Sequence, residues 1–280
     1  MTGRILQNNN GIYVVETEQG VFGFPARGGM KNIKLHCGDI AIIEDGVIVG
    51  IEERKNILIR PSVANIDVIM AVISCVPKPD LLMLDKLIIN CRNVDIGIGI
   101  VINKSDINDK QFAQKIKDEY DKAVDFIIET SATNGDLQSL IDSIGNKTVC
   151  LAGQSAVGKS SIINTLFGNS TTLIGELSKK ISRGKNTTVT SRLYPFNNGY
   201  IIDTPGFGLL DAHGVSCEQV KYFYPEFTCD CEYTNCNHID EPGCSVRQNV
   251  EKGLVNNNRY LRYKIIYSEL KSKGDKYEKH

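Results

Sequence analysis

"GQSAVGKSS", residues 153–161, carries the spacing G-x-x-x-x-G-K-[ST] from Gly153 to Ser160. Its flanks decide the fold. "KTVCLAG" before it is a short apolar run fit for a buried strand, and "SSIINTLF" after it has helical spacing. A strand that runs through a glycine-rich loop into a helix N-terminus gathers backbone N–H groups around an anion. In such a loop Lys159 reaches the β- and γ-phosphates of a nucleotide and Ser160 ligates Mg²⁺. Gly153, Gln154, Ser155, Ala156, Val157, Gly158 and Ser161 make the rest of the cradle. Such a loop normally opens its domain, yet this one lies past the middle of a 280-residue chain.

Upstream of the loop the texture is α/β. "VIMAVISC" (68–75) is nearly continuous in apolar residues, as a strand covered on both faces requires. "DLLMLDKLIINCRN" has helical spacing, "DIGIGIVINKSD" is another buried strand, "DKQFAQKIKDEYDKA" is helical, "DFIIETSA" is a strand and "DLQSLIDSI" a helix. Strands alternating with helices predict a parallel sheet. Two of these strands end in polar tips that suit a purine site. In "NKSD" (103–106) Asp106 can accept two hydrogen bonds from the N1–H and exocyclic amine of guanine, a pair that adenine lacks, so GTP is favoured over ATP. Asn103, Lys104 and Ser105 support the base and the loop. In "ETSA" (129–132) the backbone of Ser131 and Ala132 is placed to meet the base. Downstream, "YIIDTPGFG" (200–208) puts Asp203 at a strand tip, where it can hold a water on Mg²⁺, and Gly206 where its N–H can touch the γ-phosphate.

Ordinary GTPases run phosphate loop, DxxG, NKxD, SA. This chain runs NKxD, SA, phosphate loop, DxxG: the cyclic order is kept and the start point moved. Circular permutation is mild when the old termini lie close together at the surface. It ties the γ-phosphate-sensing segment directly to whatever follows "DTPGFG".

The two ends differ from this middle. Residues 1–60 hold short β-like runs, "RIL", "GIYVVET", "GVFGF", "DIAIIE", "GVIVGI" and "NILIR", and no long helix-period segment; five or so short strands predict a small barrel or sandwich. An OB-like barrel for single-stranded nucleic acid fits, and a small barrel with some other ligand or none fits equally. Arg27, Lys31 and Lys34 form a basic loop, while Tyr13, Phe22 and Phe24 suit either a binding face or a core. "RPS" at 60–62 ends this region. After "DTPGFG" come crowded cysteines and then "RYLRYKIIYSELKSKGDKYEK", read as a basic helix. Cys231-x4-Cys236-x-His238-x5-Cys244 offers three thiolates and an imidazole, a closed tetrahedral set for one structural Zn²⁺ with no open catalytic position. Cys229 competes with Cys231. The chain has nine cysteines, of which Cys75, Cys91 and Cys150 lie in apolar stretches and read as buried thiols.

Composition bounds these readings loosely. With 41% apolar residues the chain can build more than one core. Its 32 basic and 33 acidic residues leave a net charge of −1, so any nucleic-acid surface is local. No apolar run approaches the ~18 residues of a membrane span, and "MTGRILQNNN" has no signal-peptide core. A soluble cytoplasmic protein is expected.

The motifs in this order resemble the circularly permuted GTPases of the ribosome small-subunit-dependent GTPase A family (RsgA, also YjeQ). The resemblance covers essentially the whole chain, through "NILIRPSVANID", "NKSD", "SA", "GQSAVGKSS", "SRGKNTT", "DTPGF" and "CEYTNCNHIDEPGC". It implies an OB barrel at 1–62, a circularly permuted P-loop GTPase domain at 63–212, and a mostly helical zinc domain at 213–280. It implies a cytoplasmic monomer that binds the small (30S) ribosomal subunit and its 16S rRNA late in maturation. GTP is hydrolysed to GDP and phosphate when the subunit stimulates it, and hydrolysis promotes release. Family spacing selects Cys231 over Cys229 as the ligand. Two positions depart from the family: Ala156 stands where relatives usually have Gly, and Asn186 where they usually have His before the two threonines. Asn186 can hydrogen-bond a water but cannot serve as a general base near neutral pH.

Phe207 follows "DTPG" where many GTPases place a water-orienting Gln, so the intrinsic rate is expected to be low. Thr188, or failing that Thr187, is the expected switch ligand to Mg²⁺. Lys159, Thr188 and Gly206 form the expected catalytic set. The basic run Lys179, Lys180, Arg183 and Lys185 either docks on rRNA phosphates or stays solvated. Two other readings stay open: an RNA-binding adaptor that senses nucleotide with incidental hydrolysis, and an assembly GTPase of another RNA–protein particle.

Overall fold

The computed structural model describes residues 1–28, 33–59, 62–107, 110–168, 191–203, 212–227 and 230–277. Thr187, Thr188, Asn186, Gly206, Phe207, Cys229, Lys31 and the basic run from Lys179 to Lys185 lie outside the described residues.

The first strands β1 (Thr2–Asn9), β2 (Ile12–Thr17), β3 (Gly20–Pro25), β4 (Ile40–Glu44) and β5 (Val47–Ile51) form one antiparallel sheet in the order β3-β2-β1-β4-β5. Two-residue turns at Asn10-Gly11 and Asp45-Gly46 have positive φ throughout, the geometry that matches strand twist in a tight hairpin. The sheet closes on itself: Ala26 bridges Ile48 in parallel, and the Arg27 N–H donates to the Ile48 carbonyl at 2.9 Å. This is an OB-type barrel, its core made by Ile5, Val15, Phe24, Ala41, Ile43 and Ile48. Of the three aromatics in question, Phe24 is in the core, Tyr13 packs at its edge and Phe22 is 44% exposed. A bulge between Ile5 and Gln7 breaks the alternation of β1. Ile5 therefore fills the barrel while Leu6 joins the neighbouring α/β core. "NILIR" is not a barrel strand. Ile57–Leu58 (β6) pairs with Val63–Ala64 (β7), one short strand on each side of the expected junction at 62.

The second sheet has the order β10-β9-β8-β11-β13-β12. β8 (Val68–Ile73), β9 (Gly97–Ile102), β10 (Phe126–Glu129), β11 (Thr148–Ala152) and β13 (Gly199–Asp203) are parallel. Every residue of β8 and β11 is buried, which is why those runs read as continuous apolar stretches. β12 (Arg192–Phe196), absent from the sequence reading, adds an antiparallel edge. Its Pro195 cannot donate to a ladder, and only an edge tolerates that. α1 (Leu81–Arg92) and α2 (Lys110–Tyr120) pack in the core on one face; α3 (Gln138–Ile144) and α4 (Lys159–Phe167) cover the other. The strand before the phosphate loop thus sits at the centre, beside the first strand of the domain. Permutation changes where the chain enters this sheet and leaves its neighbours intact. Cys91 and Cys150 are buried as expected, whereas Cys75 is only partly so.

Beyond residue 212 come short 3₁₀ turns at Val220–Phe223 and Pro225–Phe227, then α5 (Ser245–Glu251) and α6 (Asn257–Tyr277). Aromatics fill this small unit: Tyr224 and Phe227 stack at 5.0 Å, and Phe227 meets Tyr263 edge-on at 4.9 Å. Ile89 of α1 packs in the same cluster, so α1 is buried on both sides, all the way from Leu84 to Cys91. Charge crosses that interface too. Arg259 of α6, 1% exposed, bonds Asp85 of α1 at 3.0 Å and Glu226 at 2.5 Å. Arg262 bonds the other Asp85 oxygen at 2.5 Å and also pairs with Glu119. Burial pushes the Asp85 carboxyl above its ordinary range, and the two guanidiniums pull it back. Removing one side of such a pair strands a buried charge. Asp85→Ala is therefore expected to lose about 3–5 kcal/mol of stability, read as a lower urea midpoint. A loss below ~1 kcal/mol, the size of a surface pair, would refute this.

Candidate functional site

The phosphate loop leaves β11 and enters α4. Gly153 has φ 153°, and a Cβ there would lie 2.2 Å from the Val72 carbonyl oxygen. Gly158 has φ 100°, and its Cβ would lie 2.2 Å from Asn103 Nδ2. Both glycines therefore answer to close backbone approach, one to the central strand β8 and one to the "NKSD" loop. Ala156 sits at φ 64°. This left-handed conformation explains why glycine suits the position, and the methyl costs roughly 1–2 kcal/mol.

Asn103 and Lys104 bind this loop directly. Asn103 Nδ2 donates to the Val157 carbonyl at 3.0 Å, and its Oδ1 accepts from Thr130 Oγ1 at 3.3 Å and the Ala132 N–H at 3.2 Å. Lys104 Nζ donates to the carbonyls of Ala156 at 2.8 Å and Val76 at 2.7 Å. Ser105 N–H reaches the Thr130 carbonyl at 2.9 Å. The "NKSD" and "ETSA" tips are thereby locked to one another and to the phosphate loop. Asp106 is exposed, and Ser131 Oγ donates to its Oδ1 at 2.5 Å. The Ser131 N–H is spent on Asp136 at 3.1 Å and the Ala132 N–H on Asn103. Both of those amides are therefore already engaged within the protein, and the turn presents the Ser131–Asp106 pair.

Lys159 is 8% exposed, and its Nζ donates to the carbonyls of Gly153 at 2.7 Å and Gln154 at 2.8 Å. Burial pulls the ammonium below its ordinary range, and the charge of Asp203 opposes the shift. Burial likewise pushes Asp203 up against the pull of Lys159. Ser160 and Ser155 are exposed at the helix N-terminus, where an anion is favoured. Ser160 and Asp203 are the described residues able to hold Mg²⁺ beside bound phosphates. Sequence reasoning missed the outer supports: Thr130 on Asn103, Thr165 Oγ1 on the Ala132 carbonyl at 3.0 Å, and Gln154 Oε1 accepting from the Asp80 N–H at 3.0 Å. Asp80 caps α1 through the Met83 N–H at 3.0 Å. A capping aspartate before "LLML" is visible in the sequence; its tie to a loop 74 residues away is not.

The second constellation lies in the C-terminal unit. The ligand atoms of Cys231, Cys236, His238 and Cys244 all lie within 4.8 Å of one another. His238 Nδ1 is 3.5 Å from Cys231 Sγ and 3.4 Å from Cys244 Sγ, and those sulfurs are 4.0 Å apart. Zinc–ligand bonds of about 2.0–2.3 Å at tetrahedral angles set ligand atoms roughly 3.5–3.8 Å apart, so the set fits Zn²⁺ with little movement. Burial holds the His238 imidazole below its ordinary range, leaving it neutral and able to ligate, and pushes the Cys236 thiol up to about 12 until a metal takes its proton. Glu241 organises the ligand loop by accepting from the N–H groups of Asn237 at 2.8 Å, Ile239 at 2.9 Å and Asp240 at 3.1 Å. The "EPG" turn thus carries a glutamate that shapes the loop as well as a reversal of the chain.

A family profile described as RsgA GTPase matches residues 51–213. A small ribosomal subunit biogenesis GTPase RsgA of Thermotoga neapolitana is 35% identical over 257 residues, covering 88% of this chain and 87% of the relative. The chain belongs to the RsgA GTPase family. A second RsgA, from Caldanaerobacter subterraneus subsp. tengcongensis, is 35% identical over 284 residues, covering 97% of this chain and 96% of its own. Among solved structures, YjeQ from Thermotoga maritima superposes with a TM-score of 0.77 at 31% identity, over 96% of this chain and 98% of the other. YloQ, a circularly permuted GTPase, gives 0.75 at 28% identity over 97% and 95%. As an RsgA-family protein the chain is a GTP-hydrolysing enzyme, and its permuted motif order is that of the family's solved structures. Among the described residues, no helix is long and apolar enough to cross a membrane.

Proposed function

We propose that this GTPase acts on the small ribosomal subunit late in its assembly, as a cytoplasmic monomer. GTP binds with Mg²⁺, contact with the subunit and its 16S rRNA switches hydrolysis on, and GDP formation releases the protein. The observation that carries the nucleotide half is the convergence of residues 103–106, 131–132 and 153–161 at the C-terminal ends of the parallel strands, locked by Asn103 and Lys104. Asp106, oriented by Ser131, reads guanine. The loop N–H groups from Gly153 to Ser161 and the Lys159 ammonium receive the phosphates. Ser160 and Asp203, with Thr188, hold Mg²⁺ and its waters, and Gly206 meets the γ-phosphate. The contact of Gly206 with the γ-phosphate exists only with the triphosphate, which lets it distinguish GTP from GDP. Asn186 orients water at most. The barrel and the zinc unit grip rRNA. The ribosomal half rests on the names of relatives that match over nearly their whole length.

The test is GTP turnover with and without purified small subunits. Turnover is expected to rise at least tenfold with subunits, and GDP is expected to weaken subunit binding relative to a non-hydrolysable GTP analogue. Unchanged turnover alongside nucleotide-dependent binding would leave an adaptor. Failure to bind small subunits at all would point to another particle.

A further inference from the structure

One helix touches the phosphate loop, the C-terminal unit and the chain that follows the γ-phosphate segment. α1 begins at the loop: the Asp80 N–H donates to Gln154 Oε1 at 3.0 Å, and the Asp80 carboxylate caps the first turn at the Met83 N–H. Its middle meets α6, where Asp85 takes Arg259 and Arg262, and Lys86 pairs with Glu269 at 2.6 Å. Its end meets residue 213: Asn90 Oδ1 accepts from the His213 N–H at 2.9 Å, and Asn93 Nδ2 donates to the His213 carbonyl at 3.4 Å. Residues Leu84 to Cys91 are buried, packed in the α/β core on one side and in the aromatic core of the C-terminal unit on the other. Close-packed interiors have low compressibility, so a shift at one end of such a helix is passed on.

Gln154 is the residue through which the loop reaches this helix. Its main-chain carbonyl accepts from Lys159 Nζ at 2.8 Å while its side chain accepts from Asp80. The loop on either side is pinned elsewhere, Gly153 against the Val72 carbonyl and Val157 by Asn103. The acceptor that holds the ammonium and the acceptor that holds α1 thus belong to one residue, and a shift of that residue is felt at both.

We propose that Gln154 is a positioning residue: it fixes the carbonyl that holds Lys159 against the start of α1, and so couples occupancy of the phosphate site to the C-terminal unit. Phosphates that order the loop hold the Gln154–Asp80 bond closed, and α1 with its ion pairs to α6 is held with it. Such coupling is reciprocal, so a partner docked on the C-terminal unit sets the same carbonyl and with it Lys159. The inference rests on the proposed binding of phosphates by this loop, and names the path by which contact at the C-terminal unit reaches them.

The test uses the full zinc-loaded chain without ribosomal subunits, so its failure and that of the ribosomal reading are separate. Amide hydrogen exchange of residues 84–92 and 259–270 is followed with and without saturating GDP. GDP is expected to slow it about fivefold or more in the parent, and less than about twofold in Gln154→Met, which keeps the length of the side chain and removes the acceptor. Two substitutions at the helix separate this bond from a general loss of structure. Asp80 has φ −80°, which proline can adopt. Asp80→Ala loses the cap and keeps the N–H; Asp80→Pro loses the N–H as well. GDP is expected to slow exchange in Asp80→Ala as in the parent, and not in Asp80→Pro, while it protects residues 153–161 in every variant. Slowing that survives in Gln154→Met or Asp80→Pro, or is lost equally in Asp80→Ala, overturns the proposal. GDP that protects 153–161 of the parent without slowing α1 and α6 overturns it too and leaves nucleotide binding standing; no protection of 153–161 overturns both.

Discussion

Lys159→Ala is expected to cut kcat/KM for GTP by about 10²- to 10³-fold, the usual cost of removing one preorganised charge from a reacting centre. Lys159 is buried, and without nucleotide its ammonium is held by the Gly153 and Gln154 carbonyls inside the loop. In the proposed mechanism the arriving phosphates take over those hydrogen bonds, so the charge is in place before any bond breaks. Alanine removes the charge and the latch together. The rest of the loop keeps its shape through Asn103 on Val157 and Lys104 on Ala156, so the variant stays folded. Turnover measured with saturating small subunits, beside GDP binding by fluorescence, separates lost catalysis from lost affinity. Turnover within threefold of the parent would remove Lys159 from the catalytic set.

Stripping zinc is expected to unfold the C-terminal unit while leaving the α/β domain intact. Structural zinc contributes about 10–16 kcal/mol in zinc-finger peptides, more than a small unit built on a short aromatic core can replace. The ligand loop is also what the last helix holds: Tyr260 Oη donates to the His238 carbonyl at 2.7 Å, and Tyr263 Oη bonds the Asn237 carbonyl. Releasing the loop releases α6, and with it Arg259 and Arg262 from Asp85. Treatment with a strong chelator, or Cys236→Ser, is expected to remove the ellipticity of α5 and α6 and a near-stoichiometric zinc signal, while GDP binding persists. A metal-free protein that unfolds at the parental midpoint with full helicity would contradict a structural role.

Much of the site is legible from the chain because its chemistry is local. The spacing from Gly153 to Ser160 fixes a loop whatever surrounds it, and "NKSD" places a carboxylate at a strand tip by the length of one strand. The Cys-x4-Cys-x-His-x5-Cys run offers four ligand atoms within a short segment, and the structure brings them within 4.8 Å of one another. The apolar strands were readable because parallel strands covered on both faces tolerate little else. β12 was not: "RLYPF" contains a proline, and its status as an edge is decided only by the strand beside it. "NILIR" misled for the opposite reason. Its β-branched run suits a barrel strand, but the barrel is already closed by Ala26 on Ile48, so the segment pairs with Val63–Ala64 instead.

The sequence by itself determined that a guanine nucleotide site exists, that its halves come in permuted order, and that a closed Cys₃His set follows the γ-phosphate segment. Each rests on residue types at short, fixed spacing. Only the tertiary structure decided how those parts are joined. Gln154 touches the cap of α1 across 74 residues, Arg259 meets Asp85 across 174, and Tyr200 bonds Glu16 of the barrel across 184. No spacing rule connects such pairs. They are chosen by which faces the packed cores bring together, and by the cost of leaving a buried charge or N–H without a partner.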